Sequence, residues 1–112
     1  MNASAHDDPL VEIHTTFAAR DAAAACAERL VGGGLAACVQ IDGPVRSTYR
    51  WQGRVETAEE WRCTCKTTAA RSVACVAAIV AEHPYENPEV LVRQVTGTPA
   101  YTAWVREGVT ES

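Results

Sequence analysis

No stretch of this chain approaches the roughly 18 consecutive apolar residues that a membrane-spanning helix needs, so a membrane is not an expected partner. The first nine residues carry no basic start followed by an apolar run and do not resemble a secretory signal; a cytoplasmic location is the expectation. Surplus positive charge is missing as well. Ten Lys and Arg stand against 14 Asp and Glu, a net charge of −4, and the cations are scattered. Such a surface does not neutralise a phosphate backbone, which argues against nucleic acid as a partner. The cysteines, Cys26, Cys38, Cys63, Cys65 and Cys75, are odd in number. Without an export signal, reduced thiols packed as small core residues are expected in place of a disulfide framework.

Reaction motifs are also lacking. There is no Gly-x-Ser-x-Gly elbow, no glycine loop opening a helix to cradle phosphate, and no His-Glu-x-x-His pair. Gly32-Gly33-Gly34 follows a helical segment and reads as its cap, while Cys38 lies in an apolar strand where a buried neutral thiol is inert. An enzyme is not expected.

What is present suffices for one globular core. At 112 residues, with 47% hydrophobic and 21% charged, the chain reads as a flexible tail over 1–9 and a single domain over 10–112. Leu10 to Thr16 is short and β-branched, suiting a strand. Ala19 to Val31 is an alanine-rich helix with Ala22, Ala25, Cys26, Arg29 and Leu30 at helical spacing. Leu35 to Ile41 and Val45 to Trp51, interrupted by Asp42-Gly43-Pro44, then Gln52-Gly53 and a return run through Thr67, predict a long bent hairpin. On the return run Trp61, Cys63 and Cys65 share one face and Arg62, Thr64 and Lys66 the other. A second helix follows Thr68, with Val73, Val76, Ala77 and Val80 as its stripe, and stops before His83-Pro84. Glu89 to Val95 reads as a strand, Gly97-Thr98-Pro99 as a break and Ala100 to Glu107 as a closing helix.

The order βαββαβ plus a terminal helix is the split βαβ, α+β arrangement, with both helices on one sheet face and the other face open. So small a body does not easily bury Trp51 and Trp61 of a long hairpin by itself, which points to association.

Five phrases, in order, resemble the CutA divalent-cation-tolerance family. They are Leu35-Ala36-Ala37-Cys38-Val39; Ser47-Thr48-Tyr49-Arg50-Trp51-Gln52-Gly53 with Glu56; Lys66-Thr67; His83-Pro84-Tyr85-Glu86-Asn87-Pro88-Glu89; and Tyr101 with Trp104. The resemblance spans roughly residues 10 to 107. It implies a ferredoxin-like sandwich, a homotrimer built by edge pairing of the long strands, and a part in tolerance of copper and other divalent cations. Such trimers are similar in fold to nitrogen-regulatory signalling proteins, which bind small metabolites or nucleotides in intersubunit clefts; fold alone does not carry that function over.

His83, at a helix C-terminus beside Glu82 and Glu86, is a candidate ligand for copper or another divalent cation. The plainer reading is a histidine that caps the last turn and orients Pro84-Tyr85. Copper-binding members resemble one another in a cysteine late in the first strand and a histidine pair before the proline. This chain has His14-Thr15-Thr16 and Glu82-His83 there, with His14 as a conceivable substitute. Cys63 and Cys65 offer two soft ligands, half of a closed zinc site, or core filling. Tyr49, Trp51, Glu56, Lys66, Tyr85 and Glu89 are expected around an intersubunit cleft, either holding a small anionic or zwitterionic ligand or locking the trimer.

Overall fold

Alternation of apolar and polar side chains along Leu10–Phe17 (β1) decides how the sheet is laid. Val11, Ile13, Thr15 and Phe17 turn one way and are buried, while Glu12 and His14 turn the other way and keep contact with water. The computed structural model describes residues 8–109. After β1 come α1 (Arg20–Gly32), β2 (Cys38–Trp51), β3 (Arg54–Thr68), α2 (Ala69–Glu82), β4 (Val90–Val95) and α3 (Pro99–Gly108). The sheet runs β2-β3-β1-β4, every neighbouring pair antiparallel, so the fold is the expected ferredoxin-like α+β sandwich.

Residues 1–7 of the expected tail lie outside the described residues. Asp8 and Pro9, assigned to that tail, are tied down: Ala69 N–H donates to Pro9 O at 2.9 Å and Ala70 N–H to Asp8 Oδ1 at 2.8 Å. The Asp8 carboxylate thus caps α2 from another part of the chain, a task that Thr68 at the N-cap position does not perform.

The core lies between the sheet and the two long helices, where Val11, Ile13, Phe17, Cys63 and Cys65 meet Ala23, Cys26 and Leu30 of α1 and Cys75 and Ile79 of α2. Both helix stripes differ from expectation. On α1 the buried line is Ala23-Cys26-Leu30, leaving Ala25 and Arg29 outside, where Arg29 ion-pairs with Glu82. On α2 it is Cys75-Ile79 with Val76 half-buried, while Val73 is 79% and Val80 50% exposed. The physical reason is that both helices carry small apolar residues nearly all round. Periodicity then selects no unique face, and the sheet beneath decides.

The second strand begins at Cys38, later than the apolar run suggests. Gly34, at φ 71, ends α1 with Leu35 N–H bonded to Leu30 O at 2.9 Å and Gly34 N–H to Val31 O at 3.1 Å. This Schellman cap uses up the backbone of Leu35. Pairing of β2 with β3 is shifted between Asp42 and Val45, where the bend was expected, and the peptide before Pro44 is cis. Gln52 and Gly53, at φ 51 and 79, close the hairpin.

Only Trp61–Thr68 of β3 pairs with β1. Among the described residues the stretches Val45–Trp51 and Arg54–Glu60 pair solely with each other, so a two-stranded ribbon projects from the body and stretches the molecule to 55 × 23 × 21 Å.

Candidate functional site

The sheet carries two polar centres, the second of them on the face away from α1 and α2. The first stands where the ribbon leaves the body. Glu60 accepts from Ser47 Oγ on one carboxylate oxygen and from the Tyr85 hydroxyl on the other, both at 2.7 Å. Burial, and then the neighbouring carboxylate of Glu60 that accepts its proton, push the Tyr85 phenol well above its ordinary range, so it stays a donor. His83 continues the chain of bonds. Its Nδ1 accepts the Tyr85 N–H at 3.1 Å, which leaves Nε2–H to donate to Thr16 O at 2.8 Å. The ring is buried and stacked on Phe17, with centroids 4.3 Å apart.

The three expected metal ligands have separate surroundings in this structure. Both ring nitrogens of His83 are engaged by backbone, Glu82 turns to Arg29, and Glu86 is exposed. Among the described residues no three His, Cys, Asp or Glu side chains are grouped to hold a metal ion. In this structure His83 joins Thr16 at the end of β1 to Tyr85, with one bond at each ring nitrogen. His14 lies on the open face against Glu12 at 3.2 Å and is not part of that cluster.

Cys63 and Cys65 face the helices and are fully buried. Burial, then the neighbouring Cys26 and Asp42, push the Cys63 thiol up to about 12, and Cys65 is raised by its hydrogen bond with Cys75 and by burial. Neutral thiols of this kind are core filling. Cys38 departs from expectation: it is half-buried on the open face, directly opposite Lys66.

The second centre lies across the middle of that face, where β1, β3 and β4 bring Glu12 opposite both Lys66 and Arg93. Glu12 Oε1 takes bonds from His14 Nε2 and Arg93 Nε, each at 3.2 Å. Burial alone would raise the Glu12 carboxyl, but the bonds to His14 and Arg93 outweigh it and set its pKa below the ordinary 4.5. Lys66 Nζ donates to Gln40 Oε1 at 2.9 Å. A pocket of about 250 Å³ opens here, between the sheet and the start of α3, lined by Leu10, Glu12, Lys66, Val95, Gly97 and Tyr101 among others.

The six expected cleft residues do not converge within one subunit. Tyr49 pairs with Glu56 on the ribbon and Trp51 sits at its tip. Lys66 is ten residues along β3 from Glu56, roughly 33 Å of strand. Tyr85 joins the Glu60 centre, and Glu89 is exposed before β4. Sequence reasoning overlooked Glu60 and Glu12. Period-two alternation places Glu60 on the Glu56 face and Glu12 on the His14 face, but which carboxylate meets a partner is set by strands distant in sequence.

The class defined by these features is a ferredoxin-like sandwich with an overhanging hairpin and a polar open face. The family model for CutA1 divalent ion tolerance protein matches residues 11–108. A divalent-cation tolerance protein CutA from Pectobacterium atrosepticum is 35% identical over 72% of this chain and 78% of its own length. The chloroplastic CutA protein of Arabidopsis thaliana is 30% identical over 95% of this chain, which spans 59% of that longer relative. The crystal structure of CutA from Xylella fastidiosa superposes with a TM-score of 0.88 at 35% identity, over 91% of this chain and 99% of that one. This chain belongs to the CutA family.

Proposed function

We propose that the chain serves divalent-cation tolerance without catalysis, as a cytoplasmic homotrimer that meets copper or another divalent cation at carboxylates gathered between subunits. The projecting ribbon is the observation that carries the assembly. A lone two-stranded ribbon is marginal in water, yet this one holds Tyr49, Trp51 and Val55 exposed. The outer edges of β2 and β4, the terminal strands of the sheet, are open to strand addition by another copy. Among the described residues no helix is long and apolar enough to cross a membrane. For the cation, the tolerance named in the relatives supports the role, and the exposure of two carboxylates supports a place for it. His83 has no free nitrogen and Glu82 is ion-paired, whereas Glu86 and Glu89 are exposed.

Native mass spectrometry of untagged protein, with copper and zinc each supplied at limiting amounts, tests this reading. A metal-retaining trimer is expected, with the metal kept by His83→Ala and lost from Glu86→Gln. A monomer removes the assembly; loss of metal in His83→Ala alone returns the site to the histidine.

A second reading, a trimeric sensor of the nitrogen-regulatory type binding a small metabolite or nucleotide, is favoured by the pocket at Lys66, which sits on the face that association would enclose. Retention of an organic mass in the same spectrum supports it.

A further inference from the structure

Glu12 and Lys66 stand directly opposite one another on neighbouring antiparallel strands, on the open face. Opposite charges so placed, with Cβ atoms about 5 Å apart, ordinarily pair with each other. Here they do not. The bonds to Glu12 converge on Oε1, from His14 Nε2 and Arg93 Nε, each at 3.2 Å, and the Arg93 Nη2 charge stands 3.1 Å from the same oxygen. Among the described residues Oε2 receives none. Lys66 turns to the neutral Gln40, at 2.9 Å, and among the described residues that is the one bond its three N–H donors make. Both side chains line the same pocket of about 250 Å³, whose other walls include Leu10, Val95 and the Tyr101 ring.

A cation and an anion are thus held apart, each with bonding capacity left, over an apolar floor. A simple anion would meet Glu12 and a metal ion would meet Lys66, so neither suits the pair. A molecule carrying both charges suits it. The volume lies below the roughly 300–1,000 Å³ of drug-sized sites, which limits the ligand to a few heavy atoms beyond its charged groups. We propose that this pocket binds an α-amino acid with an apolar side chain: its carboxylate on Lys66 Nζ, its ammonium on Glu12 Oε2, and its side chain along Leu10, Val95 and Tyr101. The proposal rests on the second reading above and names the ligand class for it. His14 and Arg93 act as positioning residues that fix the Glu12 carboxylate.

The test is isothermal titration of the full chain in its native assembly with L-leucine, 4-methylpentanoate and 3-methylbutylamine. The last two lack the ammonium and the carboxylate respectively. Leucine should bind, and each truncated probe should bind about ten- to hundredfold more weakly, as expected for loss of one charge-assisted bond. Lys66→Met and Glu12→Gln should each weaken leucine by a similar factor. Gly97→Ala guards against the charge variants failing to fold. It leaves both charges in place but sets a methyl 3.3 Å from Leu10 Cδ1 and 3.6 Å from Tyr101 Cδ2, and should shift preference from leucine toward alanine. Equal binding of leucine and 4-methylpentanoate overturns the zwitterion assignment while leaving a small-effector site standing. Binding of a nucleotide that Lys66→Met leaves intact keeps the sensor reading and removes this pocket. A native trimer that takes up no leucine overturns the proposal.

Discussion

Tyr85 shows how one side chain records its surroundings. Its hydroxyl serves Glu60 and its backbone N–H serves His83, so the ribbon and the end of β1 are joined through a single residue. The phenol is raised above its ordinary 10.0, by burial first and then by Glu60. A raised acid holds its proton longer in the folded chain than in the unfolded one. Its contribution to stability is therefore complete below pH 10.0 and is lost as pH climbs toward the folded pKa. Tyr85→Phe should cost about 1 kcal/mol at neutral pH through the lost hydrogen bond. Urea midpoints of the two proteins, followed from neutral pH into the alkaline range, should converge; a constant gap would show that the phenol is not held by Glu60. The same residue-level view explains His83. A histidine beside two glutamates looks like a ligand in sequence; in the structure it stacks on Phe17 and bonds backbone groups through both ring nitrogens.

Among the elements, the bent hairpin depends on one close approach. A Cβ on Gly43 would lie 2.7 Å from Trp61 Cε3 and 3.1 Å from Glu60 O, closer than such atoms come. Gly43→Ala should therefore displace the Trp61 ring and destabilise the chain by about 1–3 kcal/mol, the usual cost of overpacking. Denaturant unfolding reads this directly, and an unchanged midpoint would mean that the indole moves freely. The interruption at Asp42-Gly43-Pro44 was legible because glycine and proline are poor ladder residues. The stripes of α1 and α2 were not, because helices this rich in small apolar residues offer several faces of similar hydrophobicity. The sheet chose the line containing Cys75 and Ile79 and left Val73 and Val80 outside.

At the scale of the whole molecule, the 55 Å long axis belongs to a chain whose ribbon, beyond the Glu60–Tyr85 bond at its base, pairs along its length with itself among the described residues. Trp51, 44% exposed, presents a broad aromatic surface at the tip. Trp51→Ala should weaken association through lost aromatic burial, raising the protein concentration at which sedimentation detects dissociation by roughly tenfold or more. Assembly of unchanged concentration dependence would place the tip outside the interface. The open face belongs to this scale as well, since Lys66 and the ribbon residues Tyr49 and Glu56 are too far apart to share a ligand unless a neighbouring copy brings them together.

Sequence alone determined the element order, the bend, the turn at Gln52-Gly53 and the burial of Cys63 and Cys65, because turn chemistry and period-two alternation are local properties that survive in any context. The family was legible for a similar reason, as phrases of adjacent residues. Tertiary structure decided what no local pattern encodes. It brought Asp8 to cap α2, closed both nitrogens of His83, set Glu60 between Ser47 and Tyr85, and drew Glu12 and Lys66 to separate partners. Each of these joins groups far apart in the chain or chooses among several near partners, and only the sheet register fixes which of them meet.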